Sequence, residues 1–326
     1  MADVAREAGV SGQTVSRVAN GHTNVDAETR ARVTAAMQSL GYRPNSAARA
    51  LRSGRFRSIG VIMFTLSTVG NMRTLEGIAT AASTAGYSIT LLSVAQKTQD
   101  EVSNAFNRLS EQAVDGVIIV IEAHLINEST FELPSGLPVV VVDSTARDRF
   151  PVVDTDQGEG ARLATGHLLD LGHPTVHHIS GPPESYSAER RRDAWQATLR
   201  ERGAAVPPVL VGDWTTESGY ELGLELARDA SVTAIFAGND QMALGLLRAL
   251  HEVGRAVPDD VSVVGFDDME ESSSFWPPLT TVRQFFGTVG RRSVEALLEQ
   301  VEGGDADHDL LVGTELVVRS STAAPR

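Results

Sequence analysis

From Ser58 onward, short apolar runs alternate with amphipathic stretches, and this alternation constrains the fold more than any other feature of the sequence. The runs are continuously apolar, as expected of strands that are buried on both faces of a parallel sheet. The sequence therefore predicts an α/β body with two doubly wound parallel sheets. Its candidate strands are 59–63, 89–94, 116–121, 139–142, 176–179, 234–236 and 261–265, and its candidate helices are 75–85, 162–171, 188–202, 220–228 and 242–253.

The composition excludes several classes of protein. Among the 326 residues there is no cysteine, so disulfides and thiolate chemistry are excluded. No apolar run approaches the roughly 18 residues that a membrane-spanning helix needs, and the first residues lack the unbroken apolar segment of a signal peptide. We therefore expect a cytoplasmic protein without a membrane partner.

Charge is divided unevenly along the chain, whose net charge is −14. Residues 1–57 contain nine arginines and four acidic residues, which gives 9 − 4 = +5, so the remainder carries −14 − 5 = −19. A basic segment ahead of an acidic body indicates that a polyanion binds at one end of the chain only.

Residues 1–43 are patterned as three short helices. The second is expected from Gly12 to Asn20, with Ser11 as its N-cap. Its outward face repeats at i, i+3, i+4 and i+7 and consists of Gln13, Ser16, Arg17 and Asn20. None of these side chains is a carboxylate, and in the major groove glutamine can pair with adenine and arginine with guanine. The alternative is a three-helix bundle without a nucleic-acid role.

The third helix is expected to follow the N-cap Asp26 and to end at Gly41. Its buried stripe is expected to consist of Val33, Met37 and Leu40. A last helical pattern then follows Pro44, with Ala47, Ala48 and Leu51 on one face. Two turns of helix are too short to be stable alone in water, so residues 44–57 are either an ordinary linker or a helix that forms only against a partner.

The stretches DVAREAGVSGQTVSRVANG and VDAETRARVTAAMQSLGYRPNSAARAL resemble the helix-turn-helix head of the LacI/GalR family of transcription regulators. The resemblance implies that Gln13 and Arg17 read bases. It implies a second set of DNA contacts, mostly to phosphates, formed by Ser11, Thr14, Ser16, Asn20, Asn24, Thr29, Tyr42 and Asn45. It also implies a hinge helix, ordered only on DNA, in which small Ala48 allows close approach and Leu51 is the wedge in the minor groove. The sequence departs from the family at Gly12, a position at which a relative carries a large side chain that contacts a base. The operator sequence of a relative therefore cannot be transferred to this chain.

Three polar residues of the body come directly after apolar runs. Asp143 follows VVVV, Asn239 follows AIFAG and Asp267 follows VSVVGF. Ligands bind beyond the carboxyl ends of the strands in doubly wound sheets, so the set indicates a polar ring around a ligand. Each residue alone could instead cap a helix, a role that we assign to Asp240 rather than Asn239.

Two further features indicate what kind of ligand is bound. Trp214 lies between a strand and a helix, where an exposed ring can stack on the apolar face of a sugar or, equally, fill a gap between layers. Arg191 stands between two other arginines, and only one of three consecutive helical positions can face a cleft.

The stretches GPPESYSAERRRDAW, GDWTTESGY, NDQMALGLLRAL and DVSVVGFDDMEESSSFWPPLTTVRQ extend the resemblance to the LacI/GalR family over nearly the whole chain. It implies a periplasmic-binding-protein-like domain, residues 58–326, for effector binding and dimerisation, with an N-subdomain (about 58–153 and 286–312) and a C-subdomain (about 154–283 and 313–326). It implies that sugar hydroxyls are bound by Asp143, Arg191, Asn239 and Asp267. Trp214 would stack on the ring, while Gln284 and Phe286 would close the cleft. Phe64 and Asn71 would line the other wall, where FTLSTVGNM departs from the family.

The expected function is that of a repressor that binds a near-palindromic double-stranded DNA operator as a homodimer and is released by a small sugar. The chain ends without the heptad helix through which some relatives form tetramers. Corepression, in which the ligand strengthens DNA binding, is the open alternative. A solute-binding transport protein is less compatible with the basic head. No phosphate-binding loop or G-x-S-x-G motif is present, and adjacent His177 and His178 would point to opposite faces of a strand, so we expect no enzyme activity, cofactor or metal.

Overall fold

A computed structural model of the chain describes residues 1–19, 22, 24–42, 54–94, 98–120, 136–144 and 147–326. These residues form two compact units, Met1–Phe56 and Arg57–Arg326. Asn20 and the core of the expected hinge helix, with Asn45, Ala48 and Leu51, lie outside the described residues. Within the described ranges, no helix combines the length and the apolar character needed to cross a bilayer.

The first unit, called the head below, contains the three expected helices, which are α1 (Ala2–Glu7), α2 (Gly12–Ala19) and α3 (Ala27–Ser39). Ser11 Oγ accepts a hydrogen bond from the Thr14 amide at 3.2 Å. Asp26 Oδ1 accepts one from the Thr29 amide at 2.8 Å. Both predicted N-caps are therefore confirmed, and each satisfies a backbone donor that the first turn of a helix leaves unpaired.

The core of the head is built from small and β-branched side chains, which are Val4, Ala8, Val15, Val33 and Ala36. The prediction that Leu40 completes the buried stripe of α3 was wrong, because 47% of its surface is exposed. The helix ends at Ser39 and Leu40 is its C-cap, so its side chain no longer follows the helical period that places Val33 in the core. Ala36, one turn after Val33, is buried in its place.

The second unit, called the body below, contains twelve strands and seven helices among its described residues. Its strands are β1 (Ser58–Met63), β2 (Ser88–Ser93), β3 (Gly116–Val120), β4 (Val139–Val142), β5 (Val152–Thr155), β6 (His177–Ser180), β7 (Leu210–Val211), β8 (Ala234–Ala237), β9 (Ser262–Asp267), β10 (Thr280–Arg283), β11 (Asp309–Val312) and β12 (Glu315–Val317). Its helices are α4 (Val69–Thr84), α5 (Gln99–Glu111), α6 (Gln157–Asp170), α7 (Tyr186–Glu201), α8 (Thr216–Ala227), α9 (Asp240–Glu252) and α10 (Phe286–Val301). A short 3-10 helix spans Glu270–Ser274.

The strands form two six-stranded sheets. The order in the first sheet is β11-β5-β4-β3-β1-β2, and all of its pairs are parallel. The order in the second sheet is β12-β10-β9-β8-β6-β7, in which β12 alone is antiparallel to its neighbour. The expected architecture of two doubly wound sheets is confirmed. All seven candidate strands and all five candidate helices of the body correspond to observed elements.

Both faces of each sheet are covered by helices, which explains why the central strands are continuously apolar. On the first sheet, α5 packs on one face through Phe106 and Leu109, and α4 and α10 pack on the other through Ile78 and Leu297. The faces of the second sheet are covered by α6 and α7 on one side and by α8 and α9 on the other.

The chain passes between the two sheets after β5, after β10 and after β11. The expected subdomain boundary at residues 153 and 154 falls inside β5, which pairs with β11 of the first sheet through its whole length and with β4 through Val152 and Val153. Two of these crossovers lead directly into the first turns of α6 and α10. Residues at the crossovers therefore lie where the two sheets meet.

We expect Gly245→Ala to destabilise the body by at least about 2 kcal/mol, because a methyl group there would overlap the Thr216 carbonyl oxygen and the Tyr220 amide nitrogen of α8. The matched control is Gly166→Ala in α6, where an added carbon meets nothing within 4 Å. It should be neutral or stabilising by up to about 1 kcal/mol, since alanine is the better helix former. Urea unfolding of both variants measures the difference, and equal stabilities would contradict the close packing of α8 on α9.

Candidate functional site

A cleft of about 630 Å³, counting its open mouth, lies at the carboxyl ends of the strands of both sheets. Its walls include the ends of β4, β5 and β9 and the first turns of α4, α6, α9 and α10. This is where doubly wound sheets bind ligands, and the volume is that of a small-molecule site.

Most of the residues expected to bind the ligand line this cleft. They are Asn71, Asp143, Arg191, Trp214, Asn239, Asp267, Gln284 and Phe286. Phe64 is the exception, and its expected role was wrong. It packs with Ile62 in the core beneath α5, because alternate residues of an extended chain point to the same face of the sheet.

A closed chain of polar contacts links four buried side chains at the base of the cleft. Arg191 Nε donates to Gln157 Oε1 at 2.8 Å, and Gln157 Nε2 donates to Gln284 Oε1 at 3.1 Å. Gln284 Nε2 donates to Asp267 Oδ1 at 2.6 Å. The same oxygen lies 3.8 Å from Arg191 Nη2, which closes the ring. We call these four residues the cleft ring.

Arg191 is the charged centre of the cleft ring and is only 4% exposed. Its guanidinium lies 3.7 Å above the Phe266 ring and 5.4 Å from the Trp214 ring, and Nη1 donates to the Gly238 carbonyl. A buried cation requires such partners, since an unpaired one is very costly. Of the three consecutive arginines, this is the one that α7 points into the cleft.

Trp214 is half-buried and fixed in position by two glycines. A side chain at Gly181 would overlap the indole ring, and one at Gly238 would come within 3.2 Å of it. The ring therefore packs on bare backbone and also contributes to the cleft wall. The ring also packs against the core beneath α8 and α9, so it fills a gap between layers while it lines the cleft.

The assignment of the N-cap of α9 to Asp240 was wrong. Asn239 is the cap, because its Oδ1 accepts from the Met242 amide at 2.8 Å, while its Nδ2 donates to the Trp214 carbonyl at 3.1 Å. Asp240 is fully buried and accepts hydrogen bonds from Thr281, Ser272 and the Met269 amide. Burial raises the pKa of Asp240 to about 7, and the neighbouring charge of Asp267 acts in the same direction.

The first-sheet wall of the cleft is acidic. Asp143 and Asp154 lie at the ends of the neighbouring strands β4 and β5. Burial raises the pKa of Asp154 to about 6, although the guanidinium of Arg147, 3.2 Å away, acts to lower it. One carboxyl of this wall can therefore carry a proton near neutral pH.

Backbone strain is concentrated around the cleft. Among the described residues, six non-glycine residues have a positive φ, and Asp143 (60°), Trp214 (73°) and Asp267 (116°) are three of them. Such conformations cost about 1–3 kcal/mol each and persist where the surrounding structure holds them for function.

Two residues of the cleft, Gln157 and Asp154, were not identified from the sequence. Gln157 begins α6, directly after the N-cap Asp156, and completes the cleft ring. Asp154 stands in the apolar strand VVDT, where a carboxyl group is unexpected. The rule that polar residues matter just beyond apolar runs would have found both, had β5 been recognised as a strand.

The head presents a second candidate site on α2. Gln13 and Arg17 are exposed, one turn apart on the face opposite the buried Val15. The other described residues expected to contact DNA are Ser11, Thr14, Ser16, Asn24, Thr29 and Tyr42. Thr29 and Tyr42 are half-buried, and Tyr42 also packs against the core of the head.

Comparisons with known proteins match both units. A family model described as bacterial regulatory proteins, lacI family, matches residues 1–45, and one described as a periplasmic binding protein-like domain matches residues 165–322. The lactose operon repressor of Escherichia coli (strain K12) is 35% identical over 325 residues, which are 99% of this chain and 90% of the relative. The HTH-type transcriptional repressor PurR of Histophilus somni (strain 129Pt) is 32% identical over 328 residues, covering 98% and 97% of the two chains.

Solved structures extend the similarity to three dimensions. The crystal structure of the lac repressor dimer bound to operator and the anti-inducer ONPF has a TM-score of 0.87 and 35% identity, covering 99% of this chain and 98% of the other. The complex of the transcriptional regulator CelR with cellobiose has a TM-score of 0.73 and 30% identity, covering 98% of each chain.

The double role of Asn239 can be tested with two variants. Asn239→Ala should lower the free energy of unfolding by about 1–2 kcal/mol, because it removes the N-cap of α9 and the bond to Trp214. Asn239→Ser retains a capping oxygen and should recover most of that loss. Urea unfolding measures both, and an alanine variant as stable as the parent chain would return the capping role to Asp240.

Proposed function

The chain belongs to the lacI family of bacterial regulatory proteins and is a DNA-binding transcriptional repressor; from this we propose that it binds a near-palindromic operator as a dimer and is released when a small carbohydrate enters the cleft. The observation that carries the proposal is that one chain contains both an exposed polar face on α2 and a body whose cleft holds the cleft ring.

The DNA-binding part of the proposal rests on the head. Gln13 and Arg17 can reach base edges in the major groove, where glutamine recognises adenine and arginine recognises guanine. The surrounding hydroxyl and amide side chains can bind phosphates, which fix the orientation of the head on the duplex. The basic charge of residues 1–57 supports this, since phosphate contacts supply most of the affinity.

A dimer is supported by one relative and one surface feature. The similar lac repressor structure is that of a dimer bound to operator. In this chain Trp276, in the loop before β10, is 93% exposed, and exposed aromatic side chains are enriched at protein interfaces. Two heads related by a two-fold axis would read two half-sites. We assign residues 44–57 to the hinge that orders on DNA, with Leu51 as its wedge.

A carbohydrate effector suits the chemistry of the cleft. Arg191 and Asp267 can discriminate hydroxyl groups, because a missing hydroxyl leaves a buried charged group unpaired. Trp214 offers an aromatic face for the apolar side of a sugar ring. A relative with the same fold is similar over nearly its whole length and binds cellobiose.

Release from DNA would follow from differential binding. A sugar that contacts the ends of both sheets favours one arrangement of the two subdomains, and only its difference in affinity between the two arrangements can shift DNA binding. Couplings of this type amount to about 1–3 kcal/mol, or about 5–150-fold in operator affinity. A coupling of the opposite sign would make the same ligand a corepressor.

Arg17→Ala should weaken operator binding by about 1–3 kcal/mol and relax the preference for one base pair, because the guanidinium is expected to read guanine. The operator is first selected from random duplexes with the parent chain, and affinities are then measured against mismatched duplexes at constant salt. The control is Arg17→Lys, which keeps the charge but loses the planar fork, so it should retain non-specific binding and lose discrimination. If Arg17→Ala keeps the full base preference, α2 is not the recognition helix.

Trp214→Ala should reduce the affinity for the effector about tenfold or more, because it removes the aromatic wall of the cleft. Operator binding without sugar should remain as in the parent chain. Thermal shifts with galactosides, glucosides and free monosaccharides identify the effector, and operator titrations with and without it give the sign of its action. Trp214→Phe, which keeps an aromatic face, should respond at higher sugar concentration. Loss of both activities in Trp214→Ala would mark the ring as structural.

A further inference from the structure

The acidic wall of the cleft contains a buried oxygen atom that the contacts described so far leave unsatisfied. Asp154 is 2% exposed and lines the cleft. Its Oδ2 accepts from Arg147 Nη2 at 3.2 Å. Its Oδ1 is buried and has no hydrogen-bond partner among the described residues. A buried acceptor without a donor is unfavourable, so a ligand that supplies the donor gains affinity there.

The charged and titratable groups around Asp154 come from every neighbouring element. They are Asp143 at the end of β4, Arg147 in the following loop, Tyr186 and Arg190 on α7, and Asp309 of β11, which binds Arg147 at 2.9 Å. Asp143 is close enough to share a proton with Asp154. When both carboxyls are ionised, however, neither has a proton to donate.

We propose that Asp154 is a specificity-determining residue of the effector site, whose Oδ1 accepts a hydrogen bond from one hydroxyl group of the bound carbohydrate. The inference rests on the proposed function, because it requires a carbohydrate in the cleft. The donor is a neutral hydroxyl rather than an ammonium group, since Arg147 and Arg190 already place positive charge beside Asp154. An anionic ligand is disfavoured because two carboxyl groups form this wall.

The protonation of Asp154 gives the proposal a second readout. Its pKa is raised to about 6 by burial, so below that pH the carboxyl carries its own proton and can donate it to Asp143. A sugar hydroxyl that donates to Oδ1 favours the ionised form. Effector affinity should therefore be highest above pH 6 and fall as the pH is lowered through 6, by up to about tenfold per pH unit.

The experiment uses the full chain and isothermal titration with the sugar identified by thermal shift, together with its monodeoxy analogues. Asp154→Val removes the hydrogen-bond acceptor, and the valine side chain suits the strand VVDT. This variant should bind the sugar at least about tenfold more weakly. Asp154→Asn keeps the shape but does not titrate, so the fall in sugar affinity as the pH is lowered through 6 should disappear. The matched control is Asp309→Asn, which removes the second carboxylate that pairs with Arg147, on the exposed side of the guanidinium. It should change the affinity for the sugar less than about twofold.

The deoxy analogues separate a direct contact from a general disturbance. In the parent chain, one analogue should lose at least about tenfold in affinity through the missing contact to Asp154, and in Asp154→Val that same loss should disappear. If both Asp154 variants bind the parent sugar as the parent chain does, with the same pH profile and the same deoxy penalties, this inference is wrong while the proposed function stands. If no carbohydrate binds the parent chain, the assignment of a sugar effector is itself wrong, and this inference falls with it.

Discussion

The geometry of the cleft depends on one buried cation, Arg191, and on how it is neutralised. Taking a guanidinium out of water costs several kcal/mol unless charge and hydrogen bonds replace its hydration. Gln157 and Gln284 both stand at crossovers between the sheets, and each bonds to a neighbour in the cleft ring. Satisfying Arg191 therefore also fixes where two of the three crossovers leave their strands. The cleft and the junction between the sheets are held by the same four side chains.

The two walls of the cleft differ in how completely their polar groups are satisfied. On the second sheet, Arg191, Asp267 and Asn239 are bound to protein partners, and Asn239 both caps α9 and holds the backbone of Trp214. On the first sheet, the acidic wall retains at Asp154 an acceptor without a hydrogen-bond partner among the described residues. A preformed wall positions a ligand with little loss of entropy, whereas an unsatisfied wall gains free energy only when a ligand arrives. A ligand that joins the two walls can therefore favour one arrangement of the sheets.

The sequence predicted the long central strands and the helix caps of the head, because those patterns arise from local physics. Continuous apolar runs such as VVVV can only be buried on both faces, and Asp26 satisfies donors within its own turn. The two-residue strand β7 and the edge strand β12 carry too little pattern to be recognised. The choice between Asn239 and Asp240 depended on a helix start that periodicity fixes only to within a residue or two. Gln157 and Asp154 were missed because the short strand β5, which contains Asp154 and precedes Gln157, was not recognised in the sequence.

The separation of charge between the two units has a consequence for DNA recognition. Residues 1–57 carry +5 and the rest of the chain −19. Because DNA attracts any basic surface through the release of counterions, a basic body would add affinity for every sequence alike and dilute the discrimination that we propose for Gln13 and Arg17. An acidic body opposes such binding, so attraction to the duplex is confined to the head. Within the head, the absence of carboxylates among the described outward residues of α2, namely Gln13, Ser16 and Arg17, extends the same principle to the scale of single side chains. The placement of negative charge therefore favours specificity in the same direction as the base contacts that we propose.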